Sequence, residues 1–284
     1  NYTSLKLKLK IEGNLSLKST TGEPYSVGVN LSIFPREDYR QFVLSQKTFS
    51  NPEGKVEKGK NYFYFQWENP KKFQFIFGVE SNIMTTNEFV KVKEKINFPL
   101  KKIPSELEIF TKPGEYITID DGIKKKATEL AEGEDDLYRI VIKIAKWVKE
   151  NVKYDLLTMT AKSVKNSSWV FKSRRGVCDE ITNLYISMLR SLGIPSRFVY
   201  GQAYTNLQKR FGNHAWAEVY FPGYGWIPVD VTYGQFGWID VTHIKLKTGL
   251  DSGEPSAEYN LSLIHISEPT RPLYNSYAVF CLKK

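Results

Sequence analysis

Residues 175–180 read RGVCDE, residues 213–219 read NHAWAEV and residues 225–230 read GWIPVD. These segments supply a cysteine, a histidine and an aspartate in that order, in a chain with only two cysteines and three histidines. A thiol nucleophile needs a base that takes its proton, and the base needs an acceptor that fixes its tautomer. The three segments therefore contain every residue type that thiol catalysis requires.

Cys178 lies where a loop is predicted to become a helix, because the residues that follow carry one apolar stripe at helical spacing. The stripe consists of Ile181, Leu184, Met188, Leu189 and Leu192. Unpaired amides and the helix dipole stabilise a thiolate at such a start, whereas the charges of Asp179 and Glu180 oppose it. We therefore expect a histidine to be the main activator. The alternative for Cys178 is an inert buried residue.

His214 and Asp230 are predicted to share one face of a β-hairpin whose turn is PGYG, residues 222–225. They share a face if His214 lies opposite Asp230, with Cβ atoms about 5 Å apart, or opposite Thr232, which leaves them about 7–8 Å apart on the diagonal. Either register allows a hydrogen bond between the two side chains. A slip of one residue would separate them, so an odd-length turn is a strong constraint that only a bulge would relax.

Residues 1–112 are predicted to form an antiparallel β-sandwich-like domain. Short runs alternate apolar and polar residues and are separated by turn residues. The clearest runs lie at 5–11, 27–33, 62–67 and 73–77. This region contains no catalytic constellation, and its aromatic residues are expected to form a core.

The hydrophobic period changes after residue 115, and residues 113–260 are predicted to form an α+β domain. Apolar residues between 137 and 148 recur at helical spacing, and a shorter helix is expected near 163–172. Strands are expected to follow the helix of Cys178, at 197–204, 213–221 and 225–231.

Residues 261–284 resemble the conceptual translation of a DNA-sequencing library adapter. Both LSLIHISEPTR, residues 261–271, and SYAVFCL, residues 276–282, match the translated adapter. We therefore predict that the segment is a non-native tail in which Cys281 and His265 carry no chemistry.

The composition is that of a globular protein with a solvated, charged surface. Forty Lys and Arg against 31 Asp and Glu give a formal charge of +9, but Lys and Glu are interspersed and no nucleic-acid motif accompanies the charge. No apolar run is long enough to cross a bilayer, and two cysteines make no disulfide framework. We expect no nucleic-acid partner, and membrane anchoring only through termini outside this sequence. Sequons at Asn1, Asn14, Asn30 and Asn166 favour an extracellular or cell-surface location, with a cytoplasmic one left open.

Four segments together resemble the transglutaminase-like superfamily of cysteine enzymes, prokaryotic type. They are GVCDE, LRSLGIPSRFVYG, GNHAWAEVY and GWIPVDVT, at 176–180, 189–201, 212–220 and 225–232. The resemblance covers about residues 115–250 and implies a papain-like fold, with the cysteine on a helix and its partners on the sheet. It also implies that Cys178 is the nucleophile, His214 the base and Asp230 the orienting acid.

The resemblance leaves other roles open. Trp216 and Trp226 are candidates for the wall of a substrate tunnel, although structural roles are favoured. Glu218 is expected to pair with Arg197, which looks structural in the superfamily. His243 is expected to pack or to form hydrogen bonds rather than to catalyse.

The predicted function is thiol acyl transfer at protein or peptide amide bonds through a thioacyl intermediate. The superfamily spans transglutaminases, peptidases, isopeptidases and glycanases, in which amine or water accepts the acyl group. Hydrolysis is slightly favoured because transamidation needs a pocket that excludes water. The Cys178 backbone amide is the default oxyanion donor, its upstream partner is not identifiable, and no metal or other cofactor is expected. The alternative is a non-catalytic surface protein that keeps the fold as a binding or scaffold module.

Removal of residues 261–284 should leave the thermal unfolding midpoint and any activity unchanged, because a non-native segment has not been selected to pack. Calorimetry of the full and the shortened chain measures the midpoint. A fall of more than a few degrees would contradict the assignment of the tail.

Overall fold

The computed structural model describes residues 3–17, 23–160, 164–205, 209–264 and 278–280. Within these residues the chain divides into two compact units. We call the described residues of Lys6–Met84 and Pro255–Lys284 the β-unit, and those of Asn1–Leu5 and Thr85–Glu254 the cysteine unit.

The β-unit is built from strands at both ends of the chain. They are β1 (Ser4–Ser16), β2 (Glu23–Leu31), β3 (Gln41–Asn51), β4 (Lys55–Lys58), β5 (Phe63–Glu68), β6 (Gln74–Thr86), β14 (Ala257–Ile264) and β15 (Ala278–Phe280). They form two four-stranded sheets with the orders β15-β1-β6-β3 and β14-β2-β5-β4. Buried rings of Phe65 and Trp67 on β5 pack against Phe75 and Phe77 on β6. The predicted aromatic core is confirmed, and the sandwich fold stays a prediction.

Strand β14 runs without a break through the predicted start of the tail. Asn260 pairs with Gly28, and Leu261 pairs with Val27 in the same antiparallel ladder. Backbone pairing does not depend on side-chain identity, so the non-native origin of the tail stays a prediction. Cys281 and His265 lie outside the described residues.

The cysteine unit combines helices with an antiparallel sheet. Its described helices are α1 (Asp121–Ala131), α2 (Leu137–Asn151), α3 (Ser167–Ser173) and α4 (Cys178–Ser191). Its described strands are β7 (Lys153–Tyr154), β8 (Arg175–Gly176), β9 (Ser196–Thr205), β10 (Arg210–Phe221), β11 (Gly225–Asp230), β12 (Gln235–Phe236) and β13 (Ile244–Gly249). The main sheet has the order β12-β11-β10-β9-β13. No helix in the described part of the chain is long and apolar enough to cross a membrane.

Helix α4 is buried on all sides rather than along one stripe. Every residue from Glu180 to Arg190 is buried, and the helix contacts α1, α2, α3 and β10. Two of its polar side chains form hydrogen bonds inside the unit: Asn183 donates to Ser252 Oγ at 2.6 Å, and Ser187 donates to the Thr118 carbonyl at 2.5 Å. These bonds tie the middle of the helix to distant segments of the same unit.

The hairpin of β10 and β11 adopts one of the two predicted registers. Glu218 lies opposite Pro228 and Tyr220 opposite Trp226, so three residues form the turn. Continued along the strands, this register leaves His214 and Asp230 on one face in diagonal positions. The odd-length turn and the shared face are confirmed.

Residues 85–112 belong to the cysteine unit, whereas the sequence analysis assigned them to the first domain. The segment carries few strands or helices, but Phe98 and Leu100 pack against the core around α2 and α4. Its backbone also reaches the helices, since the Phe98 amide donates to the Asp135 carbonyl at 2.9 Å. An irregular segment has no hydrophobic period, so the pattern could not assign it to a unit.

Gly201 of β9 lies opposite His214. A Cβ atom at this position would overlap the Trp216 ring and the Ile244 carbonyl. We expect Gly201→Ala to lower the free energy of unfolding by about 1–3 kcal/mol through overpacking. Urea denaturation measures the change. Gly212→Ala in β10 is the matched control, because a Cβ there meets nothing within 4 Å; equal effects of the two changes would contradict the packing argument.

Candidate active site

The start of helix α4 is held by a buried carboxylate. Val177 precedes the helix in an extended conformation, and its amide donates to Glu180 Oε2 at 3.0 Å. The other oxygen of Glu180 accepts from the Lys165 amide at 2.9 Å. Glu180 thus fixes the turn that presents Cys178, and both of its oxygens are engaged by backbone amides.

The Cys178 thiol is half-buried and donates a hydrogen bond to Asp179 Oδ1 at 3.2 Å. Burial raises the pKa of this thiol well above its usual range, and the charge and hydrogen bond of Asp179 add to the rise. A hydrogen bond with the Ala215 backbone acts in the opposite direction. The sequence analysis expected the helix start to favour the thiolate; in this arrangement burial and Asp179 outweigh that effect.

Asp179 is itself affected by the same surroundings. Burial raises the pKa of the Asp179 carboxyl, although its hydrogen bond with Cys178 and the charge of His214 act to lower it. Burial thus favours the neutral form of the thiol and of the carboxyl alike.

His214 and Asp230 form the short hydrogen bond that the hairpin register allows. His214 Nε2 lies 2.6 Å from Asp230 Oδ2, and both side chains are buried. Burial would raise the pKa of Asp230, but the charge and hydrogen bonds of His214 and His243 outweigh it and hold the pKa well below its usual range. Asp230 Oδ1 accepts from the Tyr233 amide at 2.8 Å. The carboxylate is therefore ionised and fixed at both oxygens.

The nitrogen of His214 that faces away from Asp230 is Nδ1, and no hydrogen bond engages it within the described residues. The Cys178 thiol lies by the backbone of Ala215, the next residue along β10. The structure thus brings the three predicted residues into one site, since Asp230 binds His214 and the thiol lies beside the residue that follows His214.

His243 also reaches Asp230. Its Nε2 lies 2.9 Å from Asp230 Oδ2 and its Nδ1 lies 3.2 Å from Asp240 Oδ1, in a fully buried position. Burial acts to lower the pKa of His243, but the hydrogen bonds with Asp230 and Asp240 outweigh it, so the pKa is raised. The prediction of a hydrogen-bonded histidine is confirmed. Its contact with Asp230 was missed, because strand alternation does not reach the loop before β13.

Tyr154 is a further residue beside the thiol that sequence reasoning missed. Strand β7 pairs in parallel with β8, and Tyr154 lies opposite Gly176, two residues before Cys178. Burial raises the pKa of the Tyr154 phenol, and so do the neighbouring Cys178 and its side-chain hydrogen bond with the phenol. A two-residue strand is too short for periodicity to detect, so no sequence signal marked this residue.

A pocket of about 400 Å³ opens next to Tyr154. Its lining includes Ile181 of α4 and Val231, the residue after Asp230, together with the basic side chains of Lys153 and Arg174. The pocket therefore lies against the residues that flank the site, where part of a substrate could be held.

The two candidate tryptophans lie in different surroundings. Trp216 is fully buried, its ring is 5.3 Å from that of His243, and its indole nitrogen has no partner among the described residues. Trp226 instead packs against Phe110 at 5.2 Å and lies under the Arg197 guanidinium at 4.2 Å. Trp216 thus adjoins the histidines, whereas the partners of Trp226 belong to the sheet and its surroundings; their substrate-binding roles stay predictions.

Glu218 has the predicted partner and one more. Its carboxylate accepts from Arg197 Nη2 at 2.6 Å and Nε at 2.8 Å, and from Lys245 Nζ at 2.6 Å. Burial would raise the pKa of Glu218, but Lys245 and Arg197 outweigh it and lower the pKa. Because these residues lie on β10, β9 and β13, the charges tie together the strand of His214 and its neighbours.

Ligand atoms of His214, Asp230 and His243 lie within 4.8 Å of one another. Both Nε2 atoms point at the same Oδ2 atom, at 2.6 and 2.9 Å, so hydrogen bonds account for the cluster. The expectation that the protein needs no metal stays a prediction.

Residues 124–231 match the family model of the Transglutaminase-like superfamily, a range that contains Cys178, His214 and Asp230. The matched range is thus a transglutaminase-like domain, and the match supports the class of thiol enzymes. The uncharacterized protein YebA of Bacillus subtilis is 27% identical over 156 residues. Those residues are 47% of this chain and only 21% of YebA, so the match spans about a fifth of that relative's length.

A solved structure shows the same fold. A "putative cysteine protease" from Cytophaga hutchinsonii is 19% identical, with a TM-score of 0.62, and the match covers 98% of this chain and 100% of that one. The periplasmic domain of TgpA from Pseudomonas aeruginosa is 13% identical, with a TM-score of 0.40 and coverage of 82% and 94%. The fold is the transglutaminase-like, papain-like arrangement of helices and antiparallel sheet.

Asp179→Asn should lower the pKa of the Cys178 thiol, because it removes the charge that adds to burial in raising that pKa. The thiolate would then form at lower pH. The rate of alkylation by iodoacetamide, followed against pH in a Cys281→Ser chain, measures the shift. Asp121→Asn, an exposed acid in the first turn of α1, is the control. An unshifted profile in Asp179→Asn would show that Asp179 does not restrain the thiol.

Proposed function

We propose that this protein is a thiol acyl-transfer enzyme that acts on protein or peptide amide bonds. The observation that carries the proposal is the 2.6 Å hydrogen bond between His214 Nε2 and Asp230 Oδ2. It fixes the imidazole so that Nδ1 is the nitrogen left to exchange a proton with Cys178, which stands at the start of a buried helix. Base, orienting acid and nucleophile thus have the relation that thiol catalysis requires.

In the proposed reaction, His214 Nδ1 takes the thiol proton and the Cys178 sulfur attacks the amide carbonyl carbon. The tetrahedral intermediate collapses as the carbon–nitrogen bond breaks, and the protonated His214 gives its proton to the leaving amine. A thioester on Cys178 remains. Water, activated by His214, attacks the thioester and releases the acid, and the proton returns to the sulfur. Asp230 stays ionised throughout and stabilises the imidazolium.

The developing oxyanion needs hydrogen-bond donors, and the default donor is the Cys178 backbone amide. Tyr154 is the candidate for the second donor. Its phenol lies beside the thiol, and the raised pKa keeps it protonated over the neutral range, so that it can donate. This assignment supplies the partner that the sequence analysis could not identify.

Hydrolysis is slightly favoured over transamidation. Tyr154 lies beside the thiol and 46% of its surface is exposed, so the edge of the site is open to water. Trp216 is fully buried, and its role in substrate binding stays a prediction. An acyl-enzyme in these surroundings meets water more readily than it meets an amine. An extracellular or cell-surface location stays a prediction.

One observation favours the alternative of a non-catalytic binding or scaffold protein. The thiol is turned toward Asp179 and its pKa is raised, which is the condition of an unreactive cysteine. For catalysis the thiol must turn from Asp179 toward His214. The short His214–Asp230 bond weighs against the scaffold, because a scaffold has no need of an oriented base.

The reaction class is tested with a glutamine-bearing protein and a fluorescent primary amine, following ammonia release and label together, with peptide cleavage read by mass spectrometry. We expect turnover that Cys178→Ala abolishes. Asp230→Asn should slow turnover strongly, since the matching change in the serine triad costs about 10⁴-fold through the wrong tautomer.

The products separate the alternatives. Cleaved peptide or ammonia without label indicates hydrolysis, whereas label that depends on Cys178 indicates transamidation. Activity that survives in Cys178→Ala would rule out the thiol mechanism. No product from any substrate, together with a thiol that iodoacetamide does not alkylate, would favour the scaffold.

A further inference from the structure

His243 contacts the same carboxylate, Asp230, that binds His214. His243 lies in the loop that leads into β13 and is fully buried. Both of its ring nitrogens face carboxylates, Nε2 toward Asp230 and Nδ1 toward Asp240. An imidazole can donate from both nitrogens only when it carries both protons, so this geometry fits the cation.

Asp240 is held in place by its own loop. Gln235 Nε2 donates to Asp240 Oδ2 at 2.7 Å, and the Asp240 amide donates to Gln235 Oε1 at 2.9 Å. The Thr242 amide donates to Asp240 Oδ1 at 2.8 Å. Gln235 pairs with Asp230 across β11 and β12, so the loop is anchored to the strand that carries the orienting acid.

The two histidines share one oxygen atom. Asp230 Oδ2 lies 2.6 Å from His214 Nε2 and 2.9 Å from His243 Nε2, and the two rings are 5.6 Å apart between centroids. A cation at His243 therefore draws on the same negative charge that would stabilise a proton on His214. It also repels that proton directly across a buried, low-dielectric space.

We propose that His243 is a positioning residue which, together with Asp240, fixes Asp230 and prevents His214 from holding its proton too tightly to pass it on. The inference rests on the proposed function and extends it by naming the group that adjusts the base. His243 itself touches neither the reacting thiol nor, in the proposed mechanism, the substrate.

The titratable groups that face His243 fix the direction of the effect. They are Asp230 on β11, Asp240 in the same loop, His214 on β10, and Tyr233, whose ring centroid is 5.3 Å away. Replacing His243 by a neutral residue removes the positive charge nearest to His214 and leaves both carboxylates. His214 should therefore hold a proton more tightly in such a variant than in the parent chain.

The test uses the full chain with Cys178→Ala and NMR titration of the imidazoles, so that its outcome does not depend on turnover. In His243→Gln, His214 should stay protonated to a higher pH than in the parent, because the neighbouring positive charge is gone. Asp240→Asn should lower the pKa of His243, because it removes one of the two carboxylates that favour the cation. Ile239→Val, a buried neighbour without polar atoms, should move neither value.

Turnover supplies a second readout in the chain that keeps Cys178. His243→Gln should lower kcat about 10- to 100-fold, as expected for a lost hydrogen bond to a charged group, and leave KM unchanged. Calorimetry of each variant identifies a loss of fold, and Asp240→Asn serves where His243→Gln does not fold.

Different results would count against the role of His243 and against the proposed function. A His214 pKa that stays or falls in folded His243→Gln would overturn the inference, and so would a His243 that is neutral at pH 7 in the parent. A parent without turnover would count against the proposed function alone, because the titrations need no substrate.

Discussion

The site depends on the pairing of β10 with β11, because only a register of the correct parity puts His214 and Asp230 on one face. Three residues form the turn, and Glu218 lies opposite Pro228 within the ladder. The resulting 2.6 Å hydrogen bond orients the imidazole and leaves its Nδ1 atom turned away from Asp230. A single inserted or deleted residue in this turn would leave every side chain present and the base without its acid.

Strand alternation predicted this dyad on the condition of an odd-length turn, and the three-residue turn meets that condition. The helix of Cys178 was predicted from its apolar stripe, but its burial on all sides was not, since Asn183 and Ser187 find their partners in distant segments. The contact of His243 with Asp230 and the place of Tyr154 beside the thiol were not predicted. One lies in an irregular loop and the other on a two-residue strand, where no period exists to be detected. Residues 85–112 carry no hydrophobic period, so the sequence could not show that they pack with the cysteine unit.

Burial changes the balance of charges at the thiol. A helix start favours a thiolate where solvent can reach it, but here the thiol is partly enclosed and an acid adjoins it in sequence. The same enclosure that raises the pKa of Cys178 leaves Asp230 ionised, because two histidines form hydrogen bonds with Asp230 whereas the neighbour of Cys178 is the acid Asp179. In this structure Asp230 is therefore ionised and the Cys178 thiol keeps its proton. Substrate binding would have to change this arrangement before the thiol could react.

The ion pairs of Glu218 with Arg197 and Lys245 affect the conditions under which the sheet stays folded. Arg197 and Lys245 reach the carboxylate in a buried setting, where dissolved ions screen charges far less than at the surface. The ion pairs that connect β9, β10 and β13 should therefore persist at high salt concentration. Acid is its weakness: the lowered pKa means that this contribution to stability is complete above the ordinary glutamate range and is lost as the pH falls through the folded-state value. The stability that these ion pairs give the sheet should depend less on salt concentration than on strongly acidic pH.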